Sequence, residues 1–387
     1  MAALKYWLWL TNLPGLSNRS CWQLLEHFDS PEEIYYADEG HLLLVDGLSE
    51  EQRQRLQDKS LHRAEEILAQ CAAKEIFIVT VQDAAYPHRL RSIYDAPVLL
   101  YGKGAMPLFD EEAAVAVVGT RKCSPYGIHA AEELGYQMAK QGALLVSGMA
   151  EGIDAAAMKG ALRAGGFVAA ILGGGVDVIY PASNRSLYEA ILRSGCILSE
   201  YPPGMRPGKW TFPKRNRIVS GLSCAVLAVE APENSGTMIT ARLALEQGRD
   251  LFVIPGHIAS ASCAGSNALL RDGARVATCG WDILREYEGL FSDKLHEKPS
   301  EVPAWEPPVP KSQAPISPAP QARSAPTIGG ATEEEQKLLQ PLLSGEKTVD
   351  DLVVLSGLET KKALALLTML EIKGMIQILP GRRVTLS

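Results

Sequence analysis

Short apolar runs alternate with helical stretches through the middle of the chain, and this alternation constrains the fold most. The runs are rich in Val, Ile, Leu and Ala and have the length of buried strands: Ile76–Val81, Val115–Val118, Leu144–Ser147, Val168–Leu172, Cys196–Ser199, Ala225–Val229 and Leu251–Ile254. Helical stretches lie between them, at Ile128–Gln141, Gly152–Ala164 and Asn184–Arg193. Because buried strands separated by helices pair in parallel and are covered on both faces, the pattern predicts an α/β domain over residues 74–290, a Rossmann-like doubly wound parallel sheet.

The two ends of the chain follow other patterns. Residues 1–73 carry apolar side chains at helical spacing and predict a helical domain. Residues 291–330 are rich in Pro, Ala, Ser and Gln, and this composition predicts a semi-rigid linker. Residues 331–387 predict a winged-helix domain of three helices and a hairpin: Thr332–Leu343, with Thr332 and Glu335 as a capping box, Thr348–Leu355, Glu359–Lys373, Met375–Leu379 and Arg382–Leu386.

Two questions about these end domains stay open. The turns Leu13–Leu16 and Val45–Leu48 each have an apolar-Gly-apolar pattern followed by Ser. Such turns occur in helix-hairpin-helix modules, where Gly lets backbone amides approach a phosphate, and also as plain turns before a serine-capped helix, which is the interpretation we prefer. The third winged-helix segment carries few cations, so DNA contact, protein docking and a purely structural role are all compatible with it.

The composition of the chain argues against several classes of protein. The seven cysteines form no C-x-x-C pair, which argues against a zinc ribbon or a disulfide framework and favours a reduced, cytoplasmic setting. No apolar stretch is long enough to predict a membrane span. The net charge of −7 is mildly unfavourable for a nucleic-acid partner, but phosphate binding depends on local potential.

Glycine-rich loops follow three of the predicted strands. The first contains Gly119, Thr120, Arg121 and Ser124 and opens a helix, where backbone amides favour anions. The others are Ser147–Asp154 and Gly173–Asp177. Taken singly, each glycine can be explained by the positive φ that a tight turn requires. Together, the loops predict a phosphate-lined edge of the sheet, although their spacing is not the dinucleotide pattern G-x-G-x-x-G.

A basic and aromatic segment follows, and it indicates a single-strand groove. The segment Pro202–Arg217 carries five cations, and no acidic residue lies between Tyr201 and Val229. Cations can follow a phosphate backbone and an aromatic ring can stack on a base, so we predict binding by Lys209, Phe212, Arg215, Asn216 and Arg217. The competing interpretation is a solvated basic loop with aromatic residues in the core.

The remaining motifs indicate binding rather than catalysis. Ser235, Gly236 and Thr237 lie at a helix start and form a second anion nest. We find no Walker loop, no nucleophile–base pattern and no histidine pair at metal-ligand spacing. The sequence therefore predicts no catalytic residue, no metal and no cofactor.

These motifs together closely resemble the DNA processing protein A (DprA/Smf) family. The matching segments are Tyr86–Pro97, Gly119–Gly127, Ser147–Asp154, Gly173–Asn184, Phe212–Ile218, Ser235–Thr240 and Gly248–Gly256. The resemblance implies a homodimer that binds and protects single-stranded DNA and loads the RecA recombinase during natural transformation, with a single-strand-binding protein as a further partner. It also implies the DNA-binding residues: Gly119, Thr120, Arg121, Ser124, Lys209, Phe212, Arg215, Asn216, Arg217, Ser235 and Gly236.

Two alternatives use the same scaffold. A nucleotide-processing enzyme would need a carboxylate, for which Glu230 or Glu233 is the candidate beside the Ser235 nest. A sensor would bind a nucleotide signal through that nest. The basic aromatic segment exceeds what one mononucleotide requires, which favours the DNA-binding interpretation.

Overall fold

The computed structural model describes residues 3–298, 332–373, 375–379 and 383–386. The chain divides into two compact units, Met1–Pro303 and Ala304–Ser387. Most of the predicted linker, residues 291–330, lies outside the described residues. No helix in the described ranges is both long and apolar enough to cross a membrane.

The first unit begins with six helices: α1 Leu4–Asn12, α2 Asn18–His27, α3 Pro31–Tyr36, α4 Glu39–Leu43, α5 Glu50–Leu56 and α6 His62–Ala73. The turns before α2 and α5 use glycine at positive φ, +87° at Gly15 and +81° at Gly47, where side chains with a Cβ are disfavoured. Ser17 and Ser49 then cap α2 and α5 by accepting a backbone N–H. The two glycine turns are therefore helix connections followed by a serine cap, a geometry that both interpretations share.

A nine-stranded sheet follows: β1 Phe77–Thr80, β2 Leu99–Gly104, β3 Ala114–Val118, β4 Leu144–Ser147, β5 Val168–Ile171, β6 Gly195–Ser199, β7 Ala225–Ala228, β8 Asp250–Val253 and β9 Arg275–Val276. Its order is β1-β2-β6-β5-β4-β3-β7-β8-β9. Strand β2 is antiparallel to both neighbours, and all pairs from β6 to β9 are parallel. All seven predicted strands are present. The structure adds two strands that the sequence does not predict, β2 and β9.

The helices of this part are α7 His88–Arg91, α8 Pro125–Lys140, α9 Ile153–Arg163, α10 Arg185–Ser194, α11 Thr211–Gly221, α12 Gly236–Glu246, α13 Ala264–Arg271 and α14 Trp281–Leu284. The three predicted helices correspond to α8, α9 and α10. Helix α11 is not predicted, because its segment is rich in cations and contains Pro213. That proline lies in the first turn, where no backbone N–H is needed for the helix.

The strand order places a switch point between β3 and β7. From β3 the chain adds β4, β5 and β6 on one side, and from β7 it adds β8 and β9 on the other. Loops leaving the carboxyl ends of β3 and β7 therefore diverge and leave a crevice, which is where doubly wound sheets bind ligands. The predicted Rossmann-like fold is confirmed.

The six N-terminal helices and the sheet share one apolar core. Leu8 and Leu24 belong to the same buried cluster as Val117 and Val146 of the central strands. The indole N–H of Trp22 also donates to the carbonyl oxygen of Ala96, at 2.8 Å. Within the first unit, helices and sheet are thus held in a fixed relation.

The described residues of the second unit form a separate small fold with three helices and three strands: α15 Glu333–Leu339, α16 Val349–Ser356, α17 Thr360–Ile372, β10 Lys347–Thr348, β11 Ile376–Leu379 and β12 Arg383–Leu386. The antiparallel sheet has the order β10-β12-β11. Thr332 and Glu335 form the predicted capping box at the start of α15. Three helices followed by a hairpin confirm the winged-helix prediction.

Candidate nucleic-acid interface

A cavity of about 420 Å³ opens at the carboxyl ends of β3 and β7, at the switch point of the sheet. Its walls come from the loop after β3, the start of α11 and the start of α12. Eight of the predicted site residues line it: Gly119, Thr120, Arg121, Phe212, Arg215, Asn216, Ser235 and Gly236. Segments far apart in the sequence are thus brought to one place by the strand order.

The loop after β3 is held tightly against its neighbours. A Cβ at Gly119 would lie 2.6 Å from the Cβ of Ile153, so only glycine allows this approach to α9. The N–H of Thr120 donates to the carbonyl oxygen of Glu230, at 2.8 Å, and so joins this loop to the end of β7. The wall that carries Arg121 is therefore rigid at its base.

Two buried charged residues, Arg215 and Asp154, lie at the floor of the cavity. The guanidinium of Arg215 donates to the carbonyl oxygen of Ile171 and occupies the space that a side chain at Gly148 would fill. Burial lowers the pKa of Arg215 to about 10, and the nearby carboxylate of Asp154 opposes this shift. Burial likewise raises the pKa of Asp154, against the effect of Arg215. The floor thus carries one compensated cation, still charged at neutral pH.

An aromatic ring stands at the rim with a cation beside it. The guanidinium carbon of Arg121 lies 4.9 Å from the centroid of the Phe212 ring. The ring of Tyr180, which is 45% exposed, lies 5.6 Å from the Phe212 centroid at an angle of 34°. Such a pair of accessible rings can take a stacked base, and the adjacent guanidinium can take its phosphate.

The opposite wall is the beginning of α12. Ser235 is the residue before the helix and Gly236 is its first residue, so unpaired backbone N–H groups and the positive end of the helix dipole face the cavity. The hydroxyl of Ser235 has no hydrogen-bond partner in the described residues. Arg121 and Lys122 are exposed and make no ion pair there. The cavity therefore combines uncompensated cations with anion-binding backbone.

Three predicted site residues lie outside this cavity. Ser124 caps α8 by accepting the N–H of Gly127, at 3.0 Å. Lys209 is exposed and lines none of the cavity wall. Arg217 is buried on another side of α11, where it pairs with Glu200 and with Asp95, whose Oδ2 lies 3.1 Å from its Nε.

The carboxylates suggested for an enzyme are also placed elsewhere. Glu230 is buried, and both of its oxygens accept hydrogen bonds, from the N–H of Ser124 at 2.8 Å and from the hydroxyl of Ser262 at 2.7 Å. Glu233 is exposed outside the cavity lining. Across the described ranges, no cluster of His, Cys, Asp and Glu could hold a metal ion.

Some lining residues are absent from the predicted site. Thr237 and Thr240 lie one turn apart on α12, and Asp154 lies at the start of α9. Thr237 already belongs to the anion nest that the sequence predicts, and Thr240 could have been found from the helical spacing that follows it. Asp154 could not, because its place in the cavity beside Arg215 depends on the packing of two helices that are distant in the sequence.

Comparison with known proteins identifies both units. Residues 77–288 match the family described as DNA recombination-mediator protein A, and residues 317–382 match the DprA winged helix domain. The DNA processing protein DprA of Streptococcus pneumoniae is 44% identical over 209 residues, which is 54% of this chain and 73% of that protein. The Bacillus subtilis protein of the same name is 37% identical over 220 residues, 57% of this chain and 74% of that protein.

A solved structure shares the fold. The X-ray structure of DNA processing protein A from Streptococcus pneumoniae has a TM-score of 0.63 and 36% sequence identity. The match covers 73% of this chain and 97% of that chain. The similarity therefore extends over the sheet that carries the cavity and beyond it.

Proposed function

Because the chain belongs to the DNA processing protein A (DprA/Smf) family, we propose that it binds single-stranded DNA at the switch-point cavity and does no chemistry on it. The observation that carries this proposal is the meeting of Arg121, Phe212 and the start of α12 around one cavity. A strand needs cations and amides for its phosphates and a flat ring for its bases, and these are the groups present.

A single strand fits these groups better than a duplex does. Phe212 and Tyr180 can stack only on a base whose face is exposed, and duplex bases are covered by their neighbours. Both oxygens of Glu230 are occupied by hydrogen bonds and Glu233 lies outside the cavity lining, so neither carboxylate suggested for an enzyme is placed to act as a general acid or base. We therefore favour binding over nucleotide processing.

The partners follow from the family. We propose that the protein acts in the cytoplasm as a homodimer, that it protects incoming DNA during natural transformation, and that it loads RecA in place of a single-strand-binding protein. Light scattering and a pull-down with RecA test this part. A monomer that never retains RecA would refute it and leave the DNA site unaffected.

The first experiment compares ligands. Binding of a T-rich oligonucleotide is measured beside the binding and turnover of mononucleotides. Tight oligonucleotide binding with no turnover supports the proposal. Turnover of a mononucleotide would support an enzyme, and tight binding of a mononucleotide without turnover would support a sensor.

A further inference from the structure

A second cavity, of about 540 Å³, lies on another side of α11 from the first, the switch-point cavity. Phe212 and Asn216 line the first cavity, whereas Trp210 and Lys214 line the second. Residues two apart on a helix point about 200° apart, so Trp210 and Phe212 face different sides of the start of α11. The turn between α1 and α2 forms another wall of the second cavity. This cavity therefore lies where the N-terminal helices meet α11.

A ring and a cation stand side by side at the α11 wall of this second cavity. Trp210 is 57% exposed, and Nζ of Lys214 lies 5.3 Å from the centroid of its ring. Tyr201 packs edge-on against Trp210, with 5.9 Å between the ring centroids. Lys214 is exposed and makes no ion pair within the described ranges. The pair repeats the arrangement of Phe212 and Arg121 on the other side of the helix.

Another ring–cation pair borders the cavity on the side of the N-terminal helices. Tyr94 is 79% exposed, and the guanidinium carbon of Arg19 lies 5.9 Å from the centroid of its ring. Nη1 of Arg19 also donates to the Tyr94 hydroxyl, at 2.8 Å. The two residues directly adjoin Asn18 and Asp95, which line the cavity. Arg19 is exposed and makes no ion pair with any described residue.

The charges of this cavity decide where a strand can lie. Asp95 and Glu200 line the wall, and both pair with Arg217, whose Nε lies 3.1 Å from Oδ2 of Asp95. Two carboxylates thus face one guanidinium, and this part of the wall does not attract phosphates. Lys214 and Arg19 are the cations without an acidic partner in the described residues, and each lies beside an exposed ring. We therefore place a strand on the rim of the cavity and not on its floor.

We infer that the N-terminal helices take part in DNA binding: the bound strand continues from the first cavity over the start of α11, stacks another base on Trp210 and reaches Tyr94 and Arg19. This inference rests on the proposed function and adds a second stretch to its DNA surface. Exposed rings beside cations hold a single strand without reading its sequence, because every base has a face and every nucleotide a phosphate.

The test uses oligo(dT) of increasing length, from about 4 to about 16 nucleotides, on the full chain. The shortest oligonucleotide that binds occupies the first cavity, and the wild type should gain affinity as the length increases. Trp210→Ala and Tyr94→Ala should bind that shortest oligonucleotide like the wild type. They should bind the longest one at least about fivefold more weakly, the low end for a lost stacking contact. Trp210→Phe keeps an aromatic ring and should keep most of the affinity for the longest one.

The two cations are tested by the salt dependence of binding. Lys214→Ala and Arg19→Ala should each flatten the log–log slope by about 0.7 with the longest oligonucleotide, the value of one lost phosphate contact, and leave the slope of the shortest one unchanged. Arg193→Ala is the matched control, because Arg193 is an exposed cation in the last turn of α10, which leads into the start of β6 at the opposite edge of the sheet. It should change neither slope.

Each outcome separates this inference from the proposed function. Wild-type affinity of Trp210→Ala and Tyr94→Ala for the longest oligonucleotide would overturn the inference and leave single-strand binding intact. An equal loss at every length would show no second stretch and overturn it as well. Loss of RecA retention by Tyr94→Ala with unchanged DNA binding would assign the surface to a protein partner and contradict the inference. A wild type that binds no oligonucleotide would instead refute the proposed function.

Discussion

Arg121 and Phe212 are 91 residues apart in the sequence, yet the guanidinium carbon lies 4.9 Å from the ring centroid. This contact joins the loop after β3 to the first turn of α11. It places a phosphate-binding cation beside a base-stacking face, which is the pairing that a single-strand site requires.

The close approach of Gly119 to α9 can be tested with a matched pair of alanines. Gly119→Ala should weaken oligonucleotide binding and lower the melting temperature, because its Cβ would overlap Ile153. Gly236→Ala has open space around the new Cβ and keeps the backbone N–H, so its melting temperature should match the wild type. Thermal unfolding and titrations check both. A fully stable Gly119→Ala would contradict the tight approach.

Acidification should strengthen DNA binding through Asp154. Burial holds the pKa of this carboxyl above its usual value, so it takes up a proton as the pH falls from neutral before an ordinary aspartate does. Protonation removes a negative charge beside the phosphates and leaves Arg215 uncompensated, so affinity should rise. Asp154→Asn should bind more tightly at neutral pH and lose part of this pH dependence. Titrations of both proteins from neutral pH downward decide the point.

Arg217 should matter chiefly to stability. Arg217→Ala would leave the buried carboxylate of Glu200 without its charge partner, and breaking a buried pair typically costs about 3–5 kcal/mol. Arg206→Ala, which removes an exposed cation of the same segment, should change stability by less than about 0.5 kcal/mol. Urea unfolding measures both. If Arg217→Ala unfolds at the same urea concentration as the wild type, the Arg217–Glu200 pair contributes little to stability.

Removal of the second unit should leave a folded DNA-binding protein. Because residues 304–387 form their own compact unit with their own core, deletion should not expose the core of the first. The truncated chain should keep oligonucleotide affinity within about tenfold, or 1.4 kcal/mol. A larger loss would show that the winged helix takes part in DNA binding.

The location of the site could be predicted from the sequence, because glycine loops after parallel strands meet at one edge of a sheet. Gly119, Thr120 and Arg121 follow β3, and Ser235 and Gly236 follow β7, as the order of runs and loops indicates. That β3 and β7 are neighbours could not be predicted, since strand order depends on long-range packing.

The orientation of the basic segment could not be predicted either. The predicted groove assumes that the cations of residues 209–217 all face one ligand. As helix α11, they turn Arg215 toward the first cavity and Arg217 toward Glu200. The helical repeat decides which cations lie at the predicted site. Because the segment contains Pro213, the helix is not predicted from the sequence. Ser124 shows a similar limit, because a serine before a helix fits a cap and a phosphate contact equally well.

The most direct test of the central claim is a salt-dependent titration of single-stranded oligonucleotide against wild type, Arg121→Ala and Phe212→Ala. Arg121→Ala should bind more weakly and flatten the salt dependence by about 0.7 in the log–log slope, the value of one lost phosphate contact. Phe212→Ala should cost about 1–3 kcal/mol at unchanged slope, with an unchanged circular dichroism spectrum. An Arg121→Ala protein with wild-type affinity and slope, or a Phe212→Ala protein that unfolds, would contradict the proposed site.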